Sequence, residues 1–316
     1  MFKDSKIYIA GHTKLLGAAL LANLKGYKNI ITRLLDELDL TKRECVDEFF
    51  GKERPEYVFL SAGLTGGIAA NKNFPAAFFH TNIAIQDNIF EAAQKYNVKN
   101  LVFYGSSCVY PKYCQQPIKE EYLMTGELEG TSEAYSAAKI AGIFACKAYN
   151  RQFNTKRFIA LIPNSIYGPC DTFDKENSHV AAALIMKLHE AKSKGEKKVT
   201  LWGSGTPKRE FIFSSDIAKA SIFAMNNTDR LENIHYNVGT GIEYSIKEIA
   251  GIIANIVGFE GKIEWDTTKP DGTPRKALDS SKFFSLGWKP ITTLESGLRL
   301  TYEWYTNTIK NNENKK

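Results

Sequence analysis

The sequence predicts an α/β protein with a Rossmann-type doubly wound parallel sheet and a smaller C-terminal α/β lobe. Over the first half of the chain, short apolar runs alternate with helical segments of about ten or more residues, a pattern typical of parallel sheets. A glycine-bearing turn follows the first apolar run. The length of 316 residues also exceeds the roughly 250–300 residues that one hydrophobic core usually supports.

Five strands are expected in the first half, each a run of mostly apolar residues typical of a strand buried on both faces. They cover residues 6–10, 29–32, 57–61, 100–104 and 158–162. Helical spacing predicts helices over 15–24, 43–50, 78–96 and 132–153. Ligands of such sheets bind beyond the carboxyl ends of the strands. The residues at those ends are Gly11, Ser61, Ser106 and Asn164.

The pattern loosens after Gly168. Helices are expected over 178–194, 246–257 and 293–308, and short strands over 200–202, 210–213, 236–238 and 262–265. Some of these segments are expected to return to the main sheet and the others to build the smaller lobe. We therefore expect a main domain over 1–168, a lobe over 169–306 and a frayed polar tail over 307–316.

The composition is that of a soluble globular protein, with 43 % hydrophobic and 24 % charged residues. The net charge is 41 − 35 = +6, but no basic stripe interleaved with aromatic residues predicts a nucleic-acid partner. The five cysteines contain no pair at metal-ligand spacing and are typical of reduced thiols. With no signal peptide and no membrane-spanning apolar run, we expect a cytoplasmic protein without a metal or a membrane partner.

The segment Gly11-His-Thr-Lys-Leu-Leu-Gly17 joins the first expected strand to the first expected helix. Dinucleotide folds use such a turn so that a pyrophosphate can approach backbone N–H groups at a helix N-terminus. The usual third glycine is replaced by Lys14, and a plain strand–helix turn explains the segment about equally well. Its place after the first strand favours a cofactor site. Residues 1–168 would then be mainly a dinucleotide-binding domain, and 169–306 mainly a substrate-binding lobe.

Tyr135 and Lys139, at positions i and i+4, share one face of an expected helix. A lysine ammonium near a phenol favours the phenolate and lowers the pKa of the tyrosine from about 10, which suits proton transfer near neutral pH. Ser106 follows the fourth strand and is able to bind a carbonyl oxygen that receives a hydride from a nicotinamide. Each residue alone has an ordinary explanation, a turn or cap for Ser106 and Ser107, but the three together favour a reductase.

Two further groups carry weaker signals. Cys108 and His179 are able to move protons on opposite sides of a ketosugar, although a small buried thiol and a helix-start histidine explain each residue as well. Trp202, Arg209, Arg275 and Lys276 lie in glycine- and proline-containing loops, where arginine forks bind diphosphates and a tryptophan stacks on a base. The alternative is a solvated loop with a buried tryptophan.

From Lys6 to about Tyr305 the chain resembles the extended short-chain dehydrogenase/reductases and, within them, the GDP-L-fucose synthase family. The segments that carry the resemblance are Gly105-Ser-Ser-Cys-Val-Tyr-Pro111, Tyr135-Ser-Ala-Ala-Lys-Ile-Ala-Gly142, Pro163-Asn-Ser-Ile-Tyr-Gly-Pro169, Asn177-Ser-His179, Trp202-Gly-Ser-Gly-Thr-Pro-Lys-Arg-Glu-Phe211, Asn237-Val-Gly-Thr-Gly241 and Lys269-Pro-Asp-Gly-Thr-Pro-Arg-Lys276. Members convert GDP-4-keto-6-deoxy-mannose to GDP-L-fucose by epimerisation at C3 and C5 followed by NADPH reduction at C4. They form homodimers through the helices matching 78–96 and 132–153.

The resemblance assigns roles residue by residue. Ser106, Tyr135 and Lys139 match the reductase triad, and Cys108 and His179 match the epimerisation pair. The implied substrate-binding residues are Ser107, Asn164, Lys187, Trp202, Arg209, Asp271 and Lys276. The implied cofactor-binding residues are Gly11, Thr13, Lys14, Leu15, Leu16, Gly17, Arg33, Asp39, Ser61, Ala62, Gly63, Tyr135, Lys139, Pro163, Asn164, Ile166 and His179.

The departures from the family pattern concern the phosphate sites. Lys187 stands where the family usually has arginine and offers a point charge rather than a fork. Thr13 and Lys14 replace an Arg-Gly pair, and Leu35 lies where the family has a second arginine for the 2′-phosphate of NADP. Lys14 and Arg33 are the expected replacements, and Asp36 is the acidic residue that would favour NAD. NADP(H) is the expected cofactor, with NAD(H) as the alternative.

Three functions remain in competition. The first is NADPH-dependent reduction at C4 of a GDP-4-keto sugar, with C3/C5 epimerisation or, for a 4-keto heptose of a surface polysaccharide, without it. The second is a non-reducing epimerase or dehydratase that recycles a tightly held NAD. The third is a nucleotide-sensing or scaffolding protein, which the intact Ser106, Tyr135 and Lys139 disfavour.

Overall fold

The computed structural model describes residues 1–174, 178–269 and 271–313. The strands, in chain order, are β1 (Lys6–Ala10), β2 (Asn29–Ile31), β3 (Tyr57–Leu60), β4 (Asn100–Tyr104), β5 (Phe158–Pro163), β6 (Ser165–Tyr167), β7 (Lys198–Trp202), β8 (Lys208–Phe213), β9 (His235–Val238), β10 (Glu243–Ser245), β11 (Lys262–Asp266) and β12 (Arg275–Lys276). The helices are α1 (Leu15–Asn23), α2 (Arg43–Glu53), α3 (Ile68–Asn73), α4 (Pro75–Lys95), α5 (Glu133–Gln152), α6 (Val180–Ser193), α7 (Ser214–Asn226), α8 (Ile246–Val257), α9 (Ser281–Ser285) and α10 (Leu294–Glu313).

Six parallel strands form the main sheet in the order β2-β1-β3-β4-β5-β9. Because β2 pairs with one side of β1 and β3 with the other, the connection reverses direction between β1 and β3. This reversal leaves a crevice beyond Ala10 and Leu60, at the carboxyl ends of the two strands. The arrangement confirms the predicted Rossmann-type sheet.

Helices cover both faces of this sheet, which explains why its strands are apolar throughout. Side chains of α2, α4 and α5 pack on one face, and side chains of α1, α7 and α9 pack on the other. A third apolar cluster joins α6, α8 and α10 to β7, β8 and β11. No helix in the part of the chain that the structure describes is long and apolar enough to cross a membrane.

The expected strands and helices of the first half lie within a few residues of their observed bounds, and β9 joins the main sheet beside β5. The sequence analysis missed α3, α7, α9 and the short strands β6, β10 and β12. Helix α7 escaped notice because it begins directly after β8, with no turn residue between them. The expected frayed tail is wrong for 307–313, where α10 continues to Glu313. Residues 314–316 lie outside the described part.

The carboxylate of Glu210 joins the main sheet to the smaller lobe. Glu210 is fully buried on β8. Its Oε1 accepts from the backbone N–H groups of Thr240 (2.6 Å) and Gly241 (2.7 Å), beyond β9. Its Oε2 accepts from the side-chain amide of Asn164 (2.6 Å), at the end of β5, and from the backbone N–H of Leu278 (2.8 Å). One side chain therefore holds three separate segments together.

We predict that Glu210→Gln destabilises the fold. A glutamine has one acceptor oxygen, so at least one buried N–H loses its partner, at about 1–3 kcal/mol for each donor left unsatisfied. Urea unfolding of the variant is the measurement. The matched control is Glu243→Gln on β10, whose carboxylate pairs with the partly exposed Arg275 and should cost less than about 1 kcal/mol. Equal free energies of unfolding for the two variants would contradict the role of Glu210.

Candidate active site at the carboxyl ends of the parallel strands

The turn after β1 is built from close backbone contacts. Gly11 has φ +83°, and a Cβ there would lie 2.7 Å from the backbone N and Cα of Ala62. A Cβ on Gly17 would lie 2.0 Å from the carbonyl oxygen of Gly11. The Ser61 hydroxyl donates to the carbonyl of Ala10 (2.6 Å) and so ties the end of β3 to the end of β1. Both glycines are therefore required by the geometry of the crevice.

Lys14 occupies the position of the missing third glycine without backbone strain. It is the N-cap residue of α1, with φ −107° and ψ 171°, a conformation open to any residue. Thr13 and Lys14 are exposed, and Leu15 and Leu16 are partly buried at the start of the helix. The first N–H groups of a helix have no partner within it and attract anions. The N–H groups of the turn thus fit a pyrophosphate, and the exposed side chain of Lys14 adds a positive charge at the edge of the crevice.

The residues expected to bind a 2′-phosphate differ in whether their polar groups are already hydrogen-bonded within the protein. The Arg33 guanidinium donates to the carboxylate of Glu53 (2.5 Å) and to the Thr32 carbonyl, so that much of its fork is already engaged. Asp39 accepts from the backbone N–H and the hydroxyl of Thr41. Leu35, where the family has an arginine, is 79 % exposed. Of the two expected replacements, Lys14 is the one with its ammonium open to solvent.

Tyr135 and Lys139 lie on α5 over the end of β4. The Lys139 ammonium donates to the Tyr104 carbonyl (3.0 Å) and lies 5.9 Å from the centre of the Tyr135 ring. Burial lowers the pKa of Lys139 to about 8. The expectation that Lys139 lowers the pKa of Tyr135 is wrong for this structure, because burial raises the pKa of that phenol. The reason is geometric, since the ammonium is directed to the Tyr104 carbonyl rather than to the phenol oxygen.

Ser106 lies directly before the 3-10 turn Ser107–Val109 and accepts a hydrogen bond from the backbone N–H of Cys108 (3.4 Å). Its hydroxyl also contacts the phenol of Tyr135, an interaction that opposes the rise in the pKa of that group. Ser107 is buried. The structure thus brings Ser106, Tyr135 and Lys139 together at the end of β4.

Cys108 lies beside an ammonium group. Lys276, on β12, donates to Cys108 Sγ at 3.4 Å. Burial disfavours the thiolate, but the charge of Lys276, together with hydrogen bonds from Ser106, Lys276 and Ser132, outweighs burial and lowers the pKa of Cys108. Cys108 therefore ionises more readily than a free thiol, in the direction that a proton acceptor needs.

His179 is the N-cap residue of α6, and its side chain is 49 % exposed. Its Nδ1 lies 3.5 Å from Oδ1 of Asp171, whose carboxylate raises the pKa of the imidazole against the effect of burial. The charge of Cys108 raises this pKa further, which places the thiol and the imidazole in one electrostatic neighbourhood. Asn177, the first residue of the Asn177-Ser-His179 segment, lies outside the described residues, as does Pro270.

Several expected substrate-binding residues lie around Trp202, which is 69 % exposed. The ammonium groups of Lys187 and Lys269 lie 5.1 and 5.9 Å from its ring centre. Asp271 accepts from the backbone N–H (2.9 Å) and hydroxyl (2.7 Å) of Ser204, which fixes the loop after Trp202. The alternative of a buried tryptophan is thus wrong, because the ring lies on the surface beside two lysines.

Arg209 and Arg275, both considered as diphosphate ligands, differ in their partners. The charges of Asp271 and Cys108 act on the guanidinium of Arg209, and burial lowers its pKa. Arg275 instead directs its guanidinium to Glu243 with contacts of 2.6 to 3.0 Å. Its fork is therefore engaged with Glu243, and a diphosphate would have to compete with that carboxylate for Arg275.

Three other expected contacts lie where β5 meets the crevice. Asn164 is buried, and its amide is engaged with Glu210 and the Lys276 carbonyl, so its observed contacts are structural. Pro163 is the last residue of β5, and Ile166 packs partly buried against the apolar cluster under α1 and α7. Gly63 lies between Asn82 and Lys139, since a Cβ there would lie 2.6 Å from Asn82 Oδ1 and 3.7 Å from Lys139 Nζ.

A parallel sheet with a glycine turn after β1 and a Ser–Tyr–Lys group after β4 defines the short-chain dehydrogenase/reductase class. The chain belongs to the NAD dependent epimerase/dehydratase family within it, to which residues 7–239 match. The family resemblance drawn from the sequence is therefore confirmed.

Known proteins resemble the chain over nearly its whole length. It is 47 % identical over 311 residues to GDP-L-fucose synthase 1 of Arabidopsis thaliana, covering 98 % of this chain and 95 % of the relative. A solved GDP-6-OMe-4-keto-L-xylo-heptose reductase from C. jejuni is 40 % identical, with a TM-score of 0.91 over 98 % of this chain and 99 % of that one. A GDP-mannoheptose C4 reductase from Campylobacter jejuni with NADP bound is 42 % identical, with a TM-score of 0.89 over 97 and 99 %.

Sequence reasoning missed two carboxylates of the site, Asp171 and Glu210. Asp171 lies three residues after Gly168, where the sequence pattern loosens. Glu210 was expected to begin the strand 210–213, but its charge and the neighbouring Lys208 and Arg209 did not indicate a buried side chain. Both are buried, and both hold residues that the sequence did identify.

We predict that Cys108 reacts with iodoacetamide faster than the buried Cys146 near neutral pH, since burial raises the pKa of Cys146. In Lys276→Met the pKa of Cys108 should rise, so its alkylation rate should fall severalfold at neutral pH and recover at higher pH. Mass spectrometry of labelled peptides over a pH series measures both rates. Lys208→Met, which removes an exposed lysine of β8, is the control. An unchanged pH profile of Cys108 in Lys276→Met would contradict the thiolate assignment.

Proposed function

We propose that this protein is an NADPH-dependent oxidoreductase that reduces a GDP-4-keto sugar at C4, with epimerisation at C3 and C5 before reduction. The observation that carries the proposal is the grouping of Ser106, Tyr135 and Lys139 at the end of β4, beside the crevice that Gly11 and Ala62 line. The relative from Arabidopsis thaliana, named GDP-L-fucose synthase 1, supports the substrate class. A biosynthetic enzyme of nucleotide sugars would work in the cytoplasm.

The turn Gly11–Gly17 would hold the pyrophosphate of a dinucleotide, and Tyr135 and Lys139 would lie at the nicotinamide end of the crevice. Bound there, NADPH supplies a hydride to the C4 carbonyl carbon. Ser106 binds the carbonyl oxygen, and Tyr135 gives that oxygen a proton as the alkoxide forms. The raised pKa of Tyr135 keeps the phenol protonated at neutral pH, ready to donate. Lys139, with a pKa of about 8, retains the charge that stabilises the resulting phenolate.

The surface around Trp202 is where we place the GDP moiety. Its exposed indole offers a stacking face for a base. Lys187 and Lys269 lie beside the ring. The charges of Asp271 and Cys108 both act on the guanidinium of Arg209. Positive charge therefore extends from Trp202 towards the thiol of Cys108. A diphosphate joining a base to a sugar matches that arrangement.

Epimerisation uses Cys108 and His179. Deprotonation of a carbon next to C4 moves the C–H proton to the Cys108 thiolate, and the electron pair forms an enolate whose oxygen Ser106 and Tyr135 hold. The His179 imidazolium returns a proton to the opposite face of that carbon. A base role for Cys108 requires a lowered pKa, and an acid role for His179 requires a raised pKa. Both shifts have these directions.

A second function is reduction at C4 without epimerisation, on a GDP-4-keto heptose of a surface polysaccharide. It is supported by the two C. jejuni structures, both of heptose reductases, which match this chain at TM-scores of 0.91 and 0.89. A 6-deoxyhexose carries a methyl group at C5 and a heptose carries a two-carbon group there, and one methylene in an apolar pocket is worth only about 1–3 kcal/mol. A panel of GDP-4-keto hexoses and heptoses, assayed by NADPH absorbance, separates the two substrates. A recycling epimerase would consume no added NADPH.

Tyr135→Phe should lower the turnover of NADPH with a GDP-4-keto sugar roughly 10²–10⁴-fold, the usual contribution of a general acid. The phenyl ring keeps the packing against Phe78, so folding and cofactor binding should persist. Tyr113→Phe removes a hydroxyl from a side chain that is 79 % exposed and serves as control. A purified Tyr135→Phe enzyme with near-normal turnover would overturn the proposed reduction.

NADPH should bind more tightly than NADH, and its affinity should fall as salt rises, because Lys14 is the expected ligand of the 2′-phosphate. Lys14→Met should weaken NADPH binding roughly 1.4- to fivefold, as expected for an exposed ion pair of about 0.2–1 kcal/mol, and leave NADH binding unchanged. Titration by intrinsic fluorescence measures both cofactors, with Lys25→Met at the far end of α1 as control. Equal losses for NADPH and NADH would refute the phosphate contact.

We expect a homodimer formed through α4 and α5. Phe79 on α4 and Phe144 on α5 are 44 and 47 % exposed, and the exposed Ala141 and Ala148 lie on the same face of α5 as Phe144. Such a face is explained by a second copy of the chain. Light scattering at micromolar concentration should give a dimer for the parent and for Phe2→Asp, and a monomer for Phe144→Asp. A monomeric parent protein would rule the interface out.

A further inference from the structure

Asp171 is a buried carboxylate that the backbone holds in place. Its side chain is 3 % exposed, and its Oδ1 accepts from the backbone N–H of Thr172 at 2.8 Å. The turn before it requires Gly168, which has φ +153° and where a Cβ would lie 2.3 Å from the Ser214 hydroxyl. The N–H of Asp171 donates to the Gly168 carbonyl at 3.4 Å. The position of the carboxylate is therefore set by a turn and not by flexible neighbours.

We propose that Asp171 is a positioning residue that fixes the tautomer and the charge of the His179 imidazole, so that Nε2–H faces the sugar as the acid of proton exchange. The inference rests on the proposed epimerisation by Cys108 and His179 and deepens it. The contact that carries it is the 3.5 Å approach of His179 Nδ1 to Asp171 Oδ1, made by a half-exposed ring to a fixed, buried carboxylate.

The chemistry follows from the two ring nitrogens. Nδ1 faces a carboxylate and therefore carries a proton, which leaves Nε2 as the nitrogen that gains and loses the second proton. A buried carboxylate without a positive partner is costly, so the imidazolium is stabilised by the pair. When Nε2–H is given to the enolate carbon, the neutral imidazole keeps its Nδ1–H bond to Asp171. No proton moves onto Asp171, and the charges balance at each step.

The charged groups around His179 differ in sign from those around Cys108. His179 is faced by the carboxylate of Asp171 and by Cys108, and both raise its pKa. Cys108 is faced by the ammonium of Lys276, while its charge also acts on Arg209 and Tyr135. A lowered pKa of the thiol and a raised pKa of the imidazole widen the pH range in which thiolate and imidazolium coexist. The carboxylate of Asp171 thus extends the upper limit of this range, and the ammonium of Lys276 extends the lower limit.

The test uses the full-length enzyme, Asp171→Asn and the control Glu190→Gln. Glu190 lies near the other end of α6, where its charge acts on His189 instead of His179. NMR titration of the histidine C2–H resonances, with His179 assigned from His179→Gln, follows the ionisation of the imidazole directly. Deuterium exchange at C3 and C5 of the 4-keto sugar in D₂O, without NADPH, follows the reaction. NADPH oxidation with the C3/C5-epimerised 4-keto sugar follows reduction alone, because that substrate needs no further proton exchange.

In Asp171→Asn the pKa of His179 should fall, and exchange at neutral pH should drop roughly 10²-fold, the lower end of a general acid's contribution. Exchange in the parent declines as pH rises through the pKa of His179, and in the variant that decline should begin at lower pH. Reduction of the epimerised sugar at saturation should stay within about twofold of the parent, a change of roughly 0.4 kcal/mol in the barrier. Glu190→Gln should match the parent in all three measurements.

An unchanged His179 titration in Asp171→Asn, with exchange retained, would overturn this proposal and leave the epimerisation proposal intact. A parallel loss of exchange and reduction with an unmoved pH profile would also overturn it, because a merely structural role gives that result. A parent enzyme that reduces the sugar without any exchange would overturn both the proposal and the epimerisation half of the proposed function.

Discussion

The buried carboxylate of Glu210 is the constraint on which the geometry of the site depends. It accepts from backbone groups beyond β9 and before α9, and from Asn164 at the end of β5. Strand β12 lies beside β8 in this same region, with Lys276 opposite Arg209. The contact of Lys276 with Cys108 therefore exists only while the smaller lobe is held against the main sheet. The buried carboxylate of Glu210 thus determines where the ammonium of Lys276 contacts the thiol of Cys108.

Burial shifts the pKa values of Tyr135 and Lys139, the two ionisable members of the proposed reductase triad, in opposite directions. It raises the pKa of Tyr135 and lowers that of Lys139 to about 8, so both groups are driven towards their neutral forms. At neutral pH the phenol keeps its proton and the ammonium keeps its charge, which is the pairing that a proton donor needs. Above a pH of about 8 the lysine loses its charge, and the phenolate formed by proton donation loses its stabilising partner.

The sequence predicted the strands and helices whose positions follow from the spacing of apolar residues. Residues 6–10 and 100–104 form strands because helices bury both faces of the sheet. The glycine turn follows β1, at the crevice beyond the carboxyl ends of β1 and β3. What it could not predict depends on which way neighbouring side chains point. Arg275 and Lys276 are adjacent on a two-residue strand, and one pairs with Glu243 at the surface while the other contacts Cys108.

Unknown side-chain directions also explain why the predicted shift in the pKa of Tyr135 had the wrong sign and why Arg33 was expected to bind a phosphate. The i, i+4 spacing correctly placed Lys139 beside Tyr135, but it carried no information about the Tyr104 carbonyl that the ammonium binds. Arg33 was counted as a free charge, although Glu53 accepts from its guanidinium. Lys14 is different because its extended backbone needs no glycine and its side chain is exposed at the start of α1. A substitution that weakened the glycine pattern in the sequence thus adds positive charge where a phosphate would lie.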